Sequence, residues 1–416
     1  MSTLTLTHAQ LLDPSQNLDQ LSDVIIHDGI IQSITAAGQN TNQDDHPYPA
    51  NNALLIPSLI DLSAHINHLA SETLAAARGG ISLLCSQPNS KPIVDTPADV
   101  SLIQQASTNA DNSEVLPLGA LTQGLKGDQL ANMHSLKQAG CIALSNAREP
   151  IKNALVLRRI MEYATTHDIL IMLTAEDIEL SANGMMHEGP TANRLGLAGI
   201  AEVAETASLA QQLLLVELTG CRVHFSQISC ARSVTMIRDA QAHGLPVSAD
   251  VAIANLMFTD TDVDGYNSTF YVQPPLRSEA DRQALLAGVN DGTLAICSNH
   301  QGRDIAAKKA PFAAAEPGMS TLDSWLSMML TLVKKGELEL TAMVNASSIL
   351  PANILRLDAG IQLNQPANLV LVDQTAEVYY DAKSIASRGK NSPVLGEMLM
   401  GRVKLTLSAG REVFRA

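Results

Sequence analysis

The sequence is poor in aromatics, in charge and in cysteine. Phe, Trp and Tyr make up 3% of the 416 residues, and Trp325 is the single tryptophan. A core must therefore be built from Leu, Ile, Val, Ala and Met, within a hydrophobic content of 46%. Charged residues reach only 17%, and acids outnumber bases for a formal net charge of -15. That sign argues against a general nucleic-acid partner and against binding to anionic membranes. The five cysteines, Cys85, Cys141, Cys221, Cys230 and Cys297, are odd in number and form no CxxC pair. Structural disulfides are not expected, and a reducing, cytoplasmic setting is the simplest. No basic stretch leads into an apolar one at the start, so no secretory signal is expected. No apolar run approaches the roughly 20 residues that span a bilayer.

What is present is regular alternation. SDVIIHDGIIQSI alternates around a DG turn and reads as a β-hairpin. TNQDDHPYPANN, residues 41–52, reads as a polar loop. After it, short apolar strands alternate with amphipathic helices. Strands are expected over 53–63, 81–88, 114–121, 141–147, 169–177, 221–229, 246–253 and 294–301, most of them continuously apolar. The clearest helices between them are NALVLRRIMEYATTH and AEVAETASLAQQLLLVELTG. Eight strands with intervening helices predict a (β/α)8 barrel over 53–355. PANLVLVDQ and GEMLMGRVKLTLSAGREVF return to strand patterning near the end. They are expected to join the N-terminal hairpin in a small β-sandwich domain built from both termini, 1–52 and 356–416.

In such a barrel the active site lies at the C-terminal strand ends. Two histidines one residue apart at the end of strand one would suggest a metal site. DLSAHINH has Ser63 at the first such position and His65 at the second. The other ends offer Ser145 and Asn146, Thr174, Gln227, and Ser298 and Asn299. Ser, Thr, Asn and Gln are weak metal ligands, and an amide cannot act as a general base. The expected result is a polar pocket without charges.

Several segments follow one another in a telling order: IDLSAHIN, AAARGG with QPNSKPIVD, LRRIMEYA, GMMHEGPTANRLGLAGIAEVAE, QPPLR, SNH and PFAAAEPGMSTLD. NASSILPANILRL, QPANLVLVD and KNSPVLGEMLMGRVKLTLSAGREVF complete the series. Through nearly its whole length the chain resembles the dihydroorotases of the amidohydrolase superfamily. The resemblance places that family's His-x-His on Ser63 and His65, and its substrate-binding Arg on Asn67. It keeps the family's Asn as Asn89. It puts the metal-binding Asp on Asn146, a further His on Thr174 and the strand-six His on Gln227. The catalytic Asp falls on Asn299 and the last His on Arg303, while Gln273 stands at a substrate-contacting position. Of the six positions for metal ligands and base, only His65 matches, and the stretch from His65 to Gly79 is shorter than usual. The resemblance therefore narrows to inactive dihydroorotase homologues, or pseudo-dihydroorotases. It implies a pseudoenzyme with no cofactor and a scaffolding role beside the aspartate carbamoyltransferase catalytic chain in pyrimidine biosynthesis, typically six copies of each chain. It also leaves room for a homodimer, since active members often form one, although no stripe in the sequence marks it.

Plainer readings stand beside these. His65 reads more simply as a satisfied polar residue than as a surviving ligand. His68, His187, His224 and His300 could build a repurposed metal site, but local hydrogen bonding is simpler. Neutral Asn146 and Asn299 would suit a mouth that avoids the cost of buried carboxylates. PPLR, residues 274–277, reads as a rigid turn, and Cys85 and Cys297 as small core residues. Two other functions stay open. One is an active amidohydrolase with a rearranged site acting on a different cyclic amide. The other is a sensor whose Asn89 and polar pocket hold a pyrimidine precursor.

Overall fold

The structure, a computed structural model, describes residues 3–39 and 47–416. The first two residues of the expected small domain and residues 41–46 of the expected polar loop lie outside the described residues. Eight parallel strands follow one another in chain order: Leu59–His65, Ile81–Ser86, Glu114–Ala120, Ala143–Ser145, Ile171–Thr174, Val223–Ser226, Val247–Ala252 and Leu294–Cys297. The eighth breaks at Ser298 and Asn299 and resumes as His300–Gln301, which pairs with the first strand and closes the ring. Asn299 makes the break with φ 44°, a left-handed conformation that asparagine tolerates better than most side chains. This is the (β/α)8 barrel, and every expected barrel strand has its counterpart.

The two expected helices run Ala154–Thr166 and Glu202–Thr219. The second stops at Gly220, whose φ of 65° lets its N–H turn back to Val216 O. The main core is aliphatic, as the composition requires, with Trp325 and Phe225 as its fully buried aromatics.

A second sheet takes strands from both ends of the chain. Thr3–Asp13, Leu18–His27 and Ile30–Ala36 join Leu369–Tyr379, Met398–Ser408 and Arg411–Arg415, with a core of their own that includes Leu6, Leu11, Val24, Leu369 and Leu405. The link between the two groups is Leu54–Pro57, parallel to the first strand and antiparallel to Leu369–Tyr379. The expectation of one strand over 53–63 is therefore corrected, because the run is cut at Ser58. Ser58 N donates to Asn368 O at 3.0 Å and its hydroxyl meets Ser82 Oγ at 2.6 Å, so it faces both sheets. Residues on either side of it are equally buried, Leu54, Ile56 and Leu59 in the main core and Leu55 in the second, and hydrophobicity alone cannot show the change.

Between Tyr379 and Met398 the chain leaves this sheet and straps the barrel mouth. Asn391 Nδ2 donates to Gln301 O and Gly318 O, each at 3.0 Å, while Arg303 N donates to Asn391 Oδ1 at 2.8 Å. Gly389 lies so near the strand-eight loop that a Cβ on it would sit 2.3 Å from Gly302 Cα. Among the described residues no helix is long and apolar enough to cross a membrane.

Candidate functional site

Side chains at alternate positions of the first strand share the barrel interior, which sets Asp61, Ser63 and His65 in line toward the mouth. Ser63 is fully buried and its hydroxyl accepts from Gln87 Nε2 at 2.9 Å. His65 Nδ1 faces Asn89 Oδ1 at 3.0 Å. Burial lowers the His65 pKa to about 4. The Asn89 hydrogen bond opposes this, and the charges of Arg303, His300 and Arg148 reinforce it. The imidazole is neutral at neutral pH.

The remaining positions are also tied into the protein. Asn146 Oδ1 accepts from Thr122 Oγ1 at 2.7 Å, and its Nδ2 donates to Glu149 O at 2.9 Å. Thr174 Oγ1 donates to Ala147 O at 3.0 Å. Gln227 takes φ 52° and its backbone N–H donates to Asp250 Oδ1 at 2.6 Å, leaving its buried Nε2 without a hydrogen-bond partner. Asn299 Nδ2 donates to Gln273 O at 3.0 Å. Arg303 pairs with Glu316 at 2.8 Å and donates to Pro317 O at 2.9 Å, while Asn67 is exposed.

These residues do not share one chamber. His65, Asn67 and Arg303 line a cavity of about 150 Å³ with His68, His300 and Arg388. Asn146 and Thr174 line another, of about 390 Å³, beside the Arg148–Glu176 ion pair. Ser63, Asn89, Gln227, Gln273 and Asn299 line neither.

The expectation of a pocket without charges is corrected. Glu72, on the helix Leu69–Arg78, places Oε2 3.0 Å from His300 Nε2 and accepts Arg388 N at 3.1 Å. His300 Nδ1 accepts from Thr321 N at 3.1 Å, so Nε2 carries the hydrogen toward Glu72. Burial alone would raise the Glu72 pKa, but pairing with His300 outweighs it and holds the carboxyl down to about 2. Below the mouth, Asp61 accepts from Ser298 N at 2.9 Å, Ser298 Oγ at 2.5 Å and Ser63 N at 3.2 Å. Its burial is complete and pushes its pKa up to about 6. Asp250, equally buried, meets His224 Nε2 at 2.9 Å. The interior thus holds buried carboxylates after all. The available signal was one acid inside each of two apolar runs, SLIDLS and VSADVA.

Of the four histidines of a repurposed site, His68 and His300 share the small cavity, and each of the four has a partner of its own. His224 has Asp250 and Ser248, His300 has Glu72, His187 faces Arg277 at 3.3 Å, and His68 faces Arg388 at 3.4 Å. PPLR is more than a turn. Arg277 is buried and donates to Ser229 Oγ at 3.0 Å and Ile200 O at 2.8 Å, with Glu205 3.7 Å away. Cys85 and Cys297 lie fully buried, and burial raises both thiol pKa values, as suits core residues.

A divalent metal of the kind the resemblance implies needs three or four good donors. Of the positions that the resemblance assigns to metal, one is an imidazole, His65, and the Asn146 amide turns a donor, not a lone pair, toward Glu149 O. Among the described residues no three His, Cys, Asp or Glu side chains converge as a metal cage. The donor set does not fit such an ion.

A family model described as Dihydro-orotase-like matches residues 52–233. A dihydroorotase-like protein of Pseudomonas aeruginosa is 42% identical over 418 residues, covering 98% of each chain. One from Pseudomonas putida is 41% identical with the same coverage. A dihydroorotase of Trichlorobacter lovleyi is 33% identical, covering 99% of each chain. Among solved structures, the L-hydantoinase (dihydropyrimidinase) of Arthrobacter aurescens matches with a TM-score of 0.86 at 20% identity, over 99% of this chain and 96% of that one, which is a likeness of fold.

Proposed function

The chain belongs to the dihydroorotase-like family, and from that premise we propose that it is a catalytically inactive member, a cytoplasmic structural subunit supporting assembly of the aspartate carbamoyltransferase catalytic chain in pyrimidine biosynthesis. One observation carries the reading. The positions where the family would hold its metal and base carry Ser63, Asn146, Thr174, Gln227 and Asn299, and each is tied into the protein by a hydrogen bond of its side chain or backbone. Hydrolysis of a cyclic amide at neutral pH needs an activated water and a base to take its proton. Neither a hydroxyl nor an amide supplies that base, and the donors do not suit a metal that would activate the water. The frame is nevertheless kept over 98% of the chain relative to the Pseudomonas aeruginosa protein. A frame kept without its chemistry is one whose surface is in use. The partner comes from the resemblance alone.

The test is co-expression with the host's aspartate carbamoyltransferase catalytic chain, followed by size exclusion with light scattering. A single peak carrying both chains above either mass alone is expected, and its mass gives the stoichiometry. Two separate peaks at micromolar concentration would remove the assembly role. Dihydroorotate hydrolysis rising in proportion to bound zinc would remove the inactive assignment.

The cavity of about 150 Å³ favours one second reading, a sensor. It is smaller than the roughly 300–1,000 Å³ of ordinary ligand pockets, so it would take only a small polar molecule. A melting shift with a pyrimidine precursor, without turnover, would favour that reading.

A further inference from the structure

A cavity of about 320 Å³ that shares no lining residue with the two at the mouth lies in the seam between the barrel and the terminal sheet. Its size falls within the roughly 300–1,000 Å³ of ordinary ligand pockets. The barrel helices Leu69–Arg78 and Trp325–Lys334 give it Arg78 and Leu326. The strands Leu369–Tyr379, Met398–Ser408 and Arg411–Arg415 give it Val378, Arg402, Val403 and Phe414. Leu326 and Val403 are buried, and Val378 and Phe414 are partly buried. The wall is therefore largely apolar, with a partly buried cation at Arg78 and an exposed one at Arg402.

These two arginines lack partners in a chain well able to supply them. It has 42 acids for 27 bases, and most of its arginines sit in ion pairs. Among the described residues, Arg78 and Arg402 make neither a hydrogen bond nor an ion pair. A guanidinium drawn partly out of water without an acceptor loses solvation that nothing returns. The acid of the wall, Asp323, is already engaged. Its Oδ1 accepts from Ala386 N at 2.7 Å and its Oδ2 from Ser387 N at 3.1 Å. Burial raises its pKa against the pull of those two bonds and of the Arg78 charge. The hydroxyls of the wall are also spent, since Ser327 and Tyr380 bond each other at 2.8 Å and Ser384 accepts from Asp381 N at 2.9 Å. The guanidinium groups are the donors left free.

We infer that this seam binds an amphipathic carboxylate, its carboxyl group at Arg78 and Arg402 and its short hydrocarbon body against Leu326, Val378, Val403 and Phe414. A planar carboxylate matches the fork of a guanidinium, which can give it two parallel N–H···O bonds. A bare small anion would leave the apolar wall uncovered. A neutral chain would leave both arginines unanswered. The inference goes beyond the reading of the mouth and holds whether or not the mouth is catalytic.

The test is calorimetry on the full chain with octanoate as the probe. A single octanoate should bind per chain. Acetate, which lacks the body, and octanol, which lacks the charge, should each bind at least ~tenfold more weakly. Arg78→Gln with Arg402→Gln should weaken octanoate by ~tenfold or more, because charge-assisted hydrogen bonds to the carboxylate are lost. Neither side chain is bonded to the protein, so this paired variant should keep at least the parent's melting temperature, and the loss is read on a folded chain. Arg159→Gln removes the same charge from an exposed arginine on the helix Ala154–Thr166, also unpaired among the described residues, and should leave the affinity as it is. No binding of octanoate at millimolar concentration would overturn the inference. So would acetate or octanol bound as tightly as octanoate, binding kept by the paired variant, or an equal loss in Arg159→Gln.

Discussion

Replacing Asp61 by Asn should make the protein's stability less dependent on pH, and the size of the effect follows from the site. Asp61 is fully buried and its pKa is raised from 3.8 to about 6. A raised pKa means that the folded state binds the proton more tightly than the unfolded chain. The stability this contributes is complete below the unfolded pKa and is lost as pH rises through the folded one. A shift of about two units corresponds to ~3 kcal/mol, spent between about pH 4 and pH 7. Asn keeps an oxygen for Ser298 N and Ser63 N. The amide it adds faces Ser298 Oγ, which is free to rotate its own hydrogen toward Ser63 O, 3.3 Å away. The difference in unfolding free energy, variant minus parent, should therefore move in the variant's favour by ~2 kcal/mol between about pH 4.5 and pH 7.5. Urea titrations of both proteins across that range measure it. A difference that stays flat to within about 0.5 kcal/mol would show that Asp61 does not titrate in the folded barrel, and the account of its burial would be wrong.

Asn146→Asp, which sets there the acid that the resemblance implies, should destabilise the chain by ~1–3 kcal/mol, because an oxygen would then face Glu149 O where Nδ2 now donates; a lower melting temperature without added metal checks it. Gly389→Ala sets a Cβ 2.3 Å from Gly302 Cα, and should cost ~1–3 kcal/mol while speeding proteolysis within residues 380–397. Glu72 behaves oppositely to Asp61. Its depressed pKa, about 2 against 4.5, gives stability that is present above 4.5 and lost as pH falls toward 2. Glu72→Gln should flatten that acid limb and forgo the ~3 kcal/mol that the depressed pKa contributes near neutral pH, as acid titrations followed by circular dichroism would show.

The barrel strands were legible because each is a short apolar run covered on both faces, bounded by polar or glycine-containing turns. The cut at Ser58 was not, since the residues on either side are equally apolar and only the identity of the neighbouring strand changes. The resemblance assigned the mouth positions residue by residue. It did not tell that His65 and Asn146 would line separate cavities, because that depends on how side chains such as Arg148 and Arg303 pair across the mouth. Of the strap at 380–397, only KNSPVLG was singled out in the sequence, as part of the series that carries the resemblance. Its role comes from Gly389 meeting Gly302 and from Asn391, a single amide that bonds three backbone groups of the strand-eight loop.

The first strand carries two layers that differ in their bonding. Asp61 and Ser63 point inward two residues apart, but their bonds differ in kind. Asp61 holds Ser298 by two hydrogen bonds, at the break where strand eight closes onto strand one through a pairing of only two residues. Ser63 Oγ is bonded only to Gln87 Nε2, within the adjacent strands one and two. A change at Asp61 therefore acts on ring closure, whereas a change at Ser63 needs only a new partner for one side chain. The same division applies on strands six and seven. There Asp250 is bonded to His224 on one side and to the Gln227 backbone on the other, while the Gln227 side chain leaves its Nε2 unbonded. The acids beneath the mouth bind strand to strand through buried carboxyl groups, and Ser63, Asn146, Thr174 and Asn299 above them reach the neighbouring strand or its loop through neutral side chains. A substitution at the mouth thus exchanges one neutral hydrogen bond, whereas one at Asp61 or Asp250 acts on a buried carboxyl group that joins strands.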